Sequence, residues 1–494
     1  MNTFKNLMIR DIICSLENYS ERTAFVIQDK EYTYSEVRQI IQSVIYSIPF
    51  QNKRIGIVGE NDIHTYASIL AVLISGNTYV ILHPSYPDER NRKIIASADI
   101  DIVLGCGEKP DYLTGISYNS VDRLPEADID RALTEKGSAE SEAYIIFTSD
   151  STGEPKGVPI SRLNLDAFYT AYTKLNWNLD EKDRMLQMFE LTFDVSVVSF
   201  LYPLTLGATV YTVGHKEIKH FKVVELLEEQ ALTYATVTPS LLQLLSPYFE
   251  DIHLPHLKYL IVTAEASQVD VITKFRSCAP NATFINLYGP TEATIYCCAY
   301  NIPLNNVKAY NGMIAIGRSF AGTEIQIVDE NGEQVRQGEQ GELLVCGQQV
   351  MNGYLDNLQK TQDAIIEMHD GKRFYKTGDL CYLDEEGDIF YCGRKDHQVK
   401  IQGFRVELSE IENTARKILK HSRNILAVAY NQNGSGNSIA LVIEGKDDVD
   451  TEGLKLSLSR ELPYYMIPRE IKFLDKIPVN NSNKIDRTQI KRLF

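Results

Sequence analysis

The chain has no stretch of about 18 uninterrupted apolar residues, which excludes a membrane-spanning helix. It has no basic run either: 50 Lys and Arg stand against 66 Asp and Glu, for a formal charge of −16. That surplus of acid argues against nucleic acid or an anionic membrane as a main partner. No Cys-x-x-Cys pair occurs. The eight cysteines are scattered, with only Cys297 and Cys298 adjacent, so zinc-ribbon and dithiol redox readings fail. Free thiols in a reducing compartment are expected. His253 and His256 lack further ligands at metal-binding spacing. Met1-Asn2-Thr3-Phe4-Lys5 offers no charged start, apolar stretch or cleavage site, so a cytoplasmic location is expected.

What is present is a large apolar reserve, 44% of 494 residues, enough for two or three domains. Short apolar runs alternate with helical patterns over roughly the first 300 residues. Arg54 to Gly59, Thr78 to Leu82, Ala143 to Phe147, Ala208 to Val213 and Tyr259 to Thr263 read as strands, and Thr65 to Leu73 as a helix. Strands separated by helices predict parallel sheets with helical cover, an α/β class. From about Thr323 the texture changes to hairpins, with Glu324 to Val328, a turn at Asp329-Glu330-Asn331-Gly332, and Gly341 to Val345. A small β-barrel from about residue 310 is expected. The last hundred residues, with a helix over Leu408 to Leu419, a strand over Ile425 to Tyr430 and a hairpin tip over Asn431 to Asn437, read as a separate α+β unit.

The run Thr148-Ser149-Asp150-Ser151-Thr152-Gly153-Glu154-Pro155-Lys156-Gly157 follows a predicted strand. Hydroxyls and open backbone N–H groups wrap phosphate oxygens, a lysine neutralises them, and Gly153 and Gly157 allow close backbone approach. It is not a Walker loop, because no Gly-Lys-Ser/Thr follows. Such clusters also make plain polar loops, and nothing local separates the two readings.

Further segments do. Asn286-Leu287-Tyr288-Gly289-Pro290-Thr291-Glu292, Tyr375-Lys376-Thr377-Gly378-Asp379-Leu380, Gly393-Arg394-Lys395-Asp396, Gly403-Phe404-Arg405-Val406-Glu407 and Asn483-Lys484-Ile485-Asp486-Arg487 follow in this order. Together they resemble the adenylate-forming enzymes: acyl-CoA synthetases, luciferases and the adenylation domains of peptide synthetases. The resemblance runs from Tyr32-Thr33-Tyr34-Ser35-Glu36 to Lys484.

The resemblance implies ATP and Mg²⁺ as cofactors, an N-terminal core over residues 1–395, and a mobile C-terminal lid over 396–494 hinged at Asp396. In such a reaction a carboxylate meets the α-phosphate of ATP, so the site must supply positive charge and hold both reactants in line. Thr148, Ser149, Ser151, Thr152, Gly153 and Lys156 match the family's phosphate loop, and Asn286, Tyr288, Gly289, Asp379 and Arg394 its AMP site. Tyr288 would face adenine, though it could equally be a core aromatic. Asp379 and Arg394 would bind ribose. Lys484, Thr291 and Glu292 match the catalytic positions, with Glu292 the Mg²⁺ ligand.

Asp194, in Phe193-Asp194-Val195-Ser196, matches the aspartate that pairs with the α-ammonium of amino-acid substrates. It sits among apolar residues, where a carboxylate is costly without a cation. The alternative is a helix N-cap, since Val195 onward reads as helical. Val195, Val198, Thr236, Val262, Thr263, Ala264, Leu287, Ile295 and Tyr296 match the other pocket positions. None is charged, which predicts a neutral amino acid.

The expected acceptor is the phosphopantetheine thiol of a separate carrier protein, or coenzyme A, reached by a tunnel at Gly403. No Gly-Gly-x-Ser attachment motif is present, and with the sequence ending soon after Arg487 the carrier is expected on a separate chain. The same features resemble D-alanine–carrier protein ligases, in which a cysteine commonly occupies the place of Thr263. An acyl- or aryl-CoA ligase is a further reading, but it leaves Asp194 unexplained. Asp150 and Asn483 depart from the family's usual glycines. An acid beside phosphates should oppose nucleotide unless it faces solvent or Mg²⁺, which leaves an impaired nucleotide-binding protein as the last reading.

Overall fold

The computed structural model describes residues 6–126, 132–150, 154–214, 217–368, 371–396, 398–420, 423–431, 437–446, 449–478 and 487–494. It divides into two compact units. The first comprises 1–84, 95–146 and 157–395, the second 85–94, 147–156 and 396–494. The segments 85–94 and 147–156 thus group with the C-terminal residues.

In the first unit the β-rich apolar runs build a nine-stranded sheet. From one edge its strands are Arg318–Ser319, Cys298–Ile302, Thr283–Tyr288, Tyr259–Val262, Tyr234–Val237, Arg184–Gln187, Thr209–Thr212, Thr23–Ile27 and Lys30–Thr33. Its interior pairings are parallel and its edges antiparallel. A second sheet contains Ser117–Ser120, Ile102–Gly105, Arg54–Val58 and Thr78–Leu82, all parallel, and continues through Glu142–Thr148. Every residue of Thr78–Leu82 is buried, as parallel strands covered on both faces must be.

Two helices are apolar almost all round, Ile63–Ile74 and Asp194–Leu206, each with eleven buried residues, which marks helices enclosed on every side. The second ends at Gly207, whose φ of 74° supplies the left-handed C-cap.

The β-rich stretch after residue 320 forms an antiparallel sheet of Thr323–Val328, Gly341–Gly347, Arg373–Leu383 and Ile365–Glu367, with Ile389–Arg394 paired to Arg373–Leu383. No closed barrel forms among the described strands.

In the second unit, Gln398–Ile401 and Phe404–Glu407 form a hairpin. Its two turn residues, Gln402 and Gly403, have φ of 51° and 87°, the turn that matches strand twist. Helix Leu408–Ile418 buries Leu408, Ile411 and Ala415, one stripe at helical spacing. It packs on a sheet of Ile425–Asn431, Asn437–Glu444 and Glu470–Leu474. Asn431 and Asn437 are paired strand ends; the expected hairpin tip between them, 432–436, lies outside the described residues. All eight cysteines are free. No described helix is long and apolar enough to cross a membrane.

Candidate active site

The pocket positions gather at the carboxyl ends of the parallel strands, where ligand sites form in open α/β sheets. Val262 ends one strand and pairs with Asn286 on the next; Thr236 lies on the neighbouring strand. Thr263 is buried and its hydroxyl donates to the Leu287 carbonyl at 2.8 Å. Ala264 follows with a φ of 69°.

Asp194 is buried, with 8% exposure, and is the first residue of its helix. The N-cap is Phe193, so the alternative reading of Asp194 as the cap does not hold. At the helix start the macrodipole favours its negative charge by about 0.3–1 kcal/mol. Val195 and Val198 follow on the same helix, both buried. The Asp194 charge reaches three buried phenols. Burial first, and Asp194 among the further causes, push Tyr79, Tyr144 and Tyr296 well above the ordinary range, so all three stay protonated. The Thr263 hydroxyl acts on Tyr296 in the opposite sense. Asp194, Thr263 and Tyr296 therefore belong to one constellation. Tyr79 and Tyr144 were not among the sequence candidates; as strand residues in apolar runs they read as core.

The turn between strands Thr283–Tyr288 and Cys298–Ile302 carries the next group. Glu292 is fully buried; Tyr354 donates to its Oε1 at 2.9 Å, and the Met351 N–H to its carbonyl at 2.8 Å. Thr294 and Ile295 have φ of 55° and 71°. Left-handed angles at β-branched residues cost about 1–3 kcal/mol and persist only where the surroundings over-determine them.

Gly289 makes this turn possible: a Cβ there would lie 2.5 Å from the Ile295 oxygen and 2.6 Å from the Tyr296 Cα. Both are backbone atoms and cannot swing aside. Gly289→Ala is expected to cost about 1–3 kcal/mol by overpacking. Thermal melting compared with activity checks this; an unchanged melting temperature with full activity would refute it.

The third group is set by strand register. Asp379 pairs directly with Arg394 across the hairpin of Arg373–Leu383 and Ile389–Arg394. The Arg394 guanidinium donates to Asp379 Oδ1 at 2.7 Å and to the Thr377 carbonyl at 3.0 Å. The Tyr288 hydroxyl donates to Asp379 Oδ2. Burial, then Asp379, push the Tyr288 phenol well up, so it remains a donor. Asn286 is buried and fixed: its Nδ2 donates to the Ala315 carbonyl at 2.9 Å, and its Oδ1 accepts from Ser267 at 3.1 Å.

Thr291 begins the short helix Thr291–Ala293 of the first unit, whereas the phosphate-loop candidates, Asp396 and Gly403 belong to the second. Lys156 begins strand Lys156–Ser161, and the Thr148 hydroxyl donates to the Lys156 carbonyl at 3.5 Å. Ser149 Oγ donates to the Arg405 carbonyl at 2.8 Å and accepts from the Glu407 N–H at 3.1 Å. Asp150 does not face solvent, at 6% exposure; its N–H donates to Glu410 Oε2 at 3.3 Å, and Glu410 in turn pairs with Arg90 at 3.0 Å. Gly403 is in the hairpin turn, and Asp396 is the first residue after Lys395 in this unit. Ser151, Thr152, Gly153, Asn483 and Lys484 lie outside the described residues.

Residues 15–355 match the family model of the AMP-binding enzymes. The chain belongs to that family. It is 31% identical over 492 residues to a D-alanine–D-alanyl carrier protein ligase of Bacillus licheniformis, covering 95% of each chain. It is 30% identical over 482 residues to gramicidin S synthase 1 of Brevibacillus brevis, a match over 94% of this chain and 42% of that one. The solved Vibrio cholerae adenylation domain AlmE, in complex with glycyl-adenosine-5'-phosphate, matches with a TM-score of 0.88 at 25% identity, over 100% of this chain and 98% of that one.

The chain is an AMP-forming ligase that uses ATP. Its residues suit that nucleotide: Asp379, held by Arg394 and Tyr288, is a carboxylate acceptor of the kind that takes ribose hydroxyls. Glu292 suits Mg²⁺, which is bound through one or two carboxylates plus substrate phosphates. Among the described residues no group of three or more His, Cys, Asp or Glu is placed to hold a metal alone.

Proposed function

We propose that this AMP-binding enzyme activates a neutral amino acid as its aminoacyl adenylate, releases pyrophosphate, and passes the aminoacyl group to the phosphopantetheine thiol of a separate carrier protein. The observation that carries the amino-acid reading is Asp194: a buried carboxylate at a helix start, in a candidate pocket whose other positions, Thr263 and Tyr296 among them, are uncharged. An α-ammonium group is the complement to that charge, and an uncharged wall rejects charged side chains. The names of similar proteins support it, since one is a D-alanine ligase and another holds a glycyl adenylate. D-alanine and glycine therefore head the substrate panel, and the cytoplasm, where ATP is made, is the proposed location.

In the first half-reaction a carboxylate oxygen of the amino acid bonds to the α-phosphorus while the bond to the bridging oxygen of pyrophosphate breaks. Asp194 orients the ammonium end, and Asp379 with Arg394 holds the ribose end, so the two reactants meet in line. Tyr288 presents its face to adenine and Thr291 its hydroxyl to the α-phosphate. Lys156 neutralises the departing phosphates, and Lys484 is assigned the charge that develops between carboxylate and phosphate. Glu292 would hold Mg²⁺, which when bound would further neutralise the phosphate oxygens. In the second half-reaction the thiol sulfur bonds to the carbonyl carbon and AMP leaves; Gly403 lies on the assigned thiol path, and the hinge is assigned to Asp396.

ATP–pyrophosphate exchange with each common amino acid, D-alanine, and a set of fatty and aryl acids tests the proposal. Exchange driven by one or a few neutral amino acids is expected. Preference for Lys, Arg, Asp or Glu, or exchange only with acids lacking an amino group, would overturn it.

A further inference from the structure

Gln349 lies just after strand Gly341–Gly347 and is 2% exposed. Both hydrogens of its amide are engaged: Nε2 donates to the carbonyls of Ala293 at 2.7 Å and Tyr296 at 2.8 Å. Its Oε1 accepts from the Thr323 hydroxyl at 3.0 Å, which fixes which edge of the amide faces the turn. Its own carbonyl accepts from the Thr294 hydroxyl at 2.5 Å. The two residues between the clamped carbonyls, Thr294 and Ile295, are the ones with left-handed backbone angles. A strained two-residue segment is thus pinned at both ends by a single side chain, more than 50 positions away in sequence. No single-donor side chain could hold both carbonyls.

We propose that Gln349 is a positioning residue that sets amino-acid specificity. By holding the strained turn it places Ile295 and Tyr296 against the substrate side chain. The inference rests on the reading of those two residues as pocket wall. Released from the clamp, Thr294 and Ile295 would relax toward ordinary angles and carry the wall with them. The ribose end, built on Asp379 and Arg394 in another sheet, shares no hydrogen bond with Gln349, whereas Thr291 and Glu292, assigned to the phosphates, directly precede the clamped Ala293, so the selectivity ratio rather than ATP binding is the deciding readout.

Two substitutions test this. Gln349→Glu keeps the size but turns two donors into an acceptor facing two carbonyl oxygens. Thr323→Val leaves Gln349 in place and removes only the bond that orients its amide. Saturation of ATP–pyrophosphate exchange is measured in both substrates, with the ratio of kcat/KM for the favoured amino acid over its nearest neighbour in size, alongside thermal melting. Gln349→Glu is expected to raise the amino-acid KM about tenfold, more than it raises the ATP KM, and to lower the selectivity ratio. Thr323→Val should shift both in the same direction by less.

A merely structural role would move neither the selectivity ratio nor one KM without the other. Equal rises in both KM values, or an unchanged ratio in folded protein, would overturn the proposal. If Gln349→Glu does not melt cooperatively, the ratio in Thr323→Val decides. Wild-type exchange with acids lacking an amino group would instead defeat the functional reading. The ratio would remain measurable on those acids, so the two failures are told apart.

Discussion

Asp194→Ala is expected to abolish amino-acid-dependent exchange while leaving the protein folded. Removing one partner of a buried charge pair costs about 2–5 kcal/mol or more. At about 1.4 kcal/mol per decade, that is a loss of roughly thirtyfold to several-thousandfold in kcat/KM for the amino acid. The upper end applies here because the carboxylate is buried, with 8% exposure, and weakly screened. Thermal melting measured alongside separates loss of substrate binding from loss of fold. The ATP KM should stay near the wild-type value. Asp194→Asn, which keeps shape but not charge, should fall between the two. Measured kcat/KM within about twofold of wild type for Asp194→Ala would remove the ammonium assignment.

Asp379→Ala should have the second-largest effect, on the other substrate. Two donors converge on this carboxylate, the Arg394 guanidinium and the Tyr288 hydroxyl. Truncation removes the proposed ribose acceptor and leaves Arg394, only 16% exposed, without its carboxylate. Breaking such a pair costs about 3–5 kcal/mol. Part of that cost will appear as lowered thermal stability and part as an ATP KM raised by about a hundredfold. Amino-acid selectivity should be unchanged, because Asp379 is not in the Asp194 constellation. Tyr288→Phe, which keeps the ring but not the donor, should cost far less. A stability loss in Asp379→Ala with an unaltered ATP KM would mark the cluster as architectural rather than nucleotide-binding.

These two effects separate because the residues were legible in the sequence for different reasons. Asp379 and Arg394 were legible only through their match to the family's motifs; that they face each other across a hairpin, fifteen positions apart, is a finding of the structure. Asp194 stood out as an acid in an apolar run, but its place on the helix was open between cap and first turn until the extended backbone of Phe193 made that residue the cap. The strand over Thr78–Leu82 and the helix over Ile63–Ile74 matched their apolar periodicity, since burial of a face or a run is written in neighbouring side chains. The left-handed angles at Thr294 and Ile295 had no such signal. Nothing about a Thr-Ile pair predicts positive φ; the close packing of Gly289 and the Gln349 bonds impose it.

By itself, then, the sequence determined the alternation of strands and helices, the turns, the family and the chemical types at the site, because these follow from side-chain spacing and local backbone preference. Tertiary structure alone decided that Gln349 holds Tyr296, that Tyr354 meets Glu292 across 62 positions, that Tyr79 and Tyr144 feel the charge of Asp194, and that 147–156 groups with residues after 395. Each of those depends on which distant segments pack together, a choice made by burial of the whole apolar surface, which no short window of residues encodes.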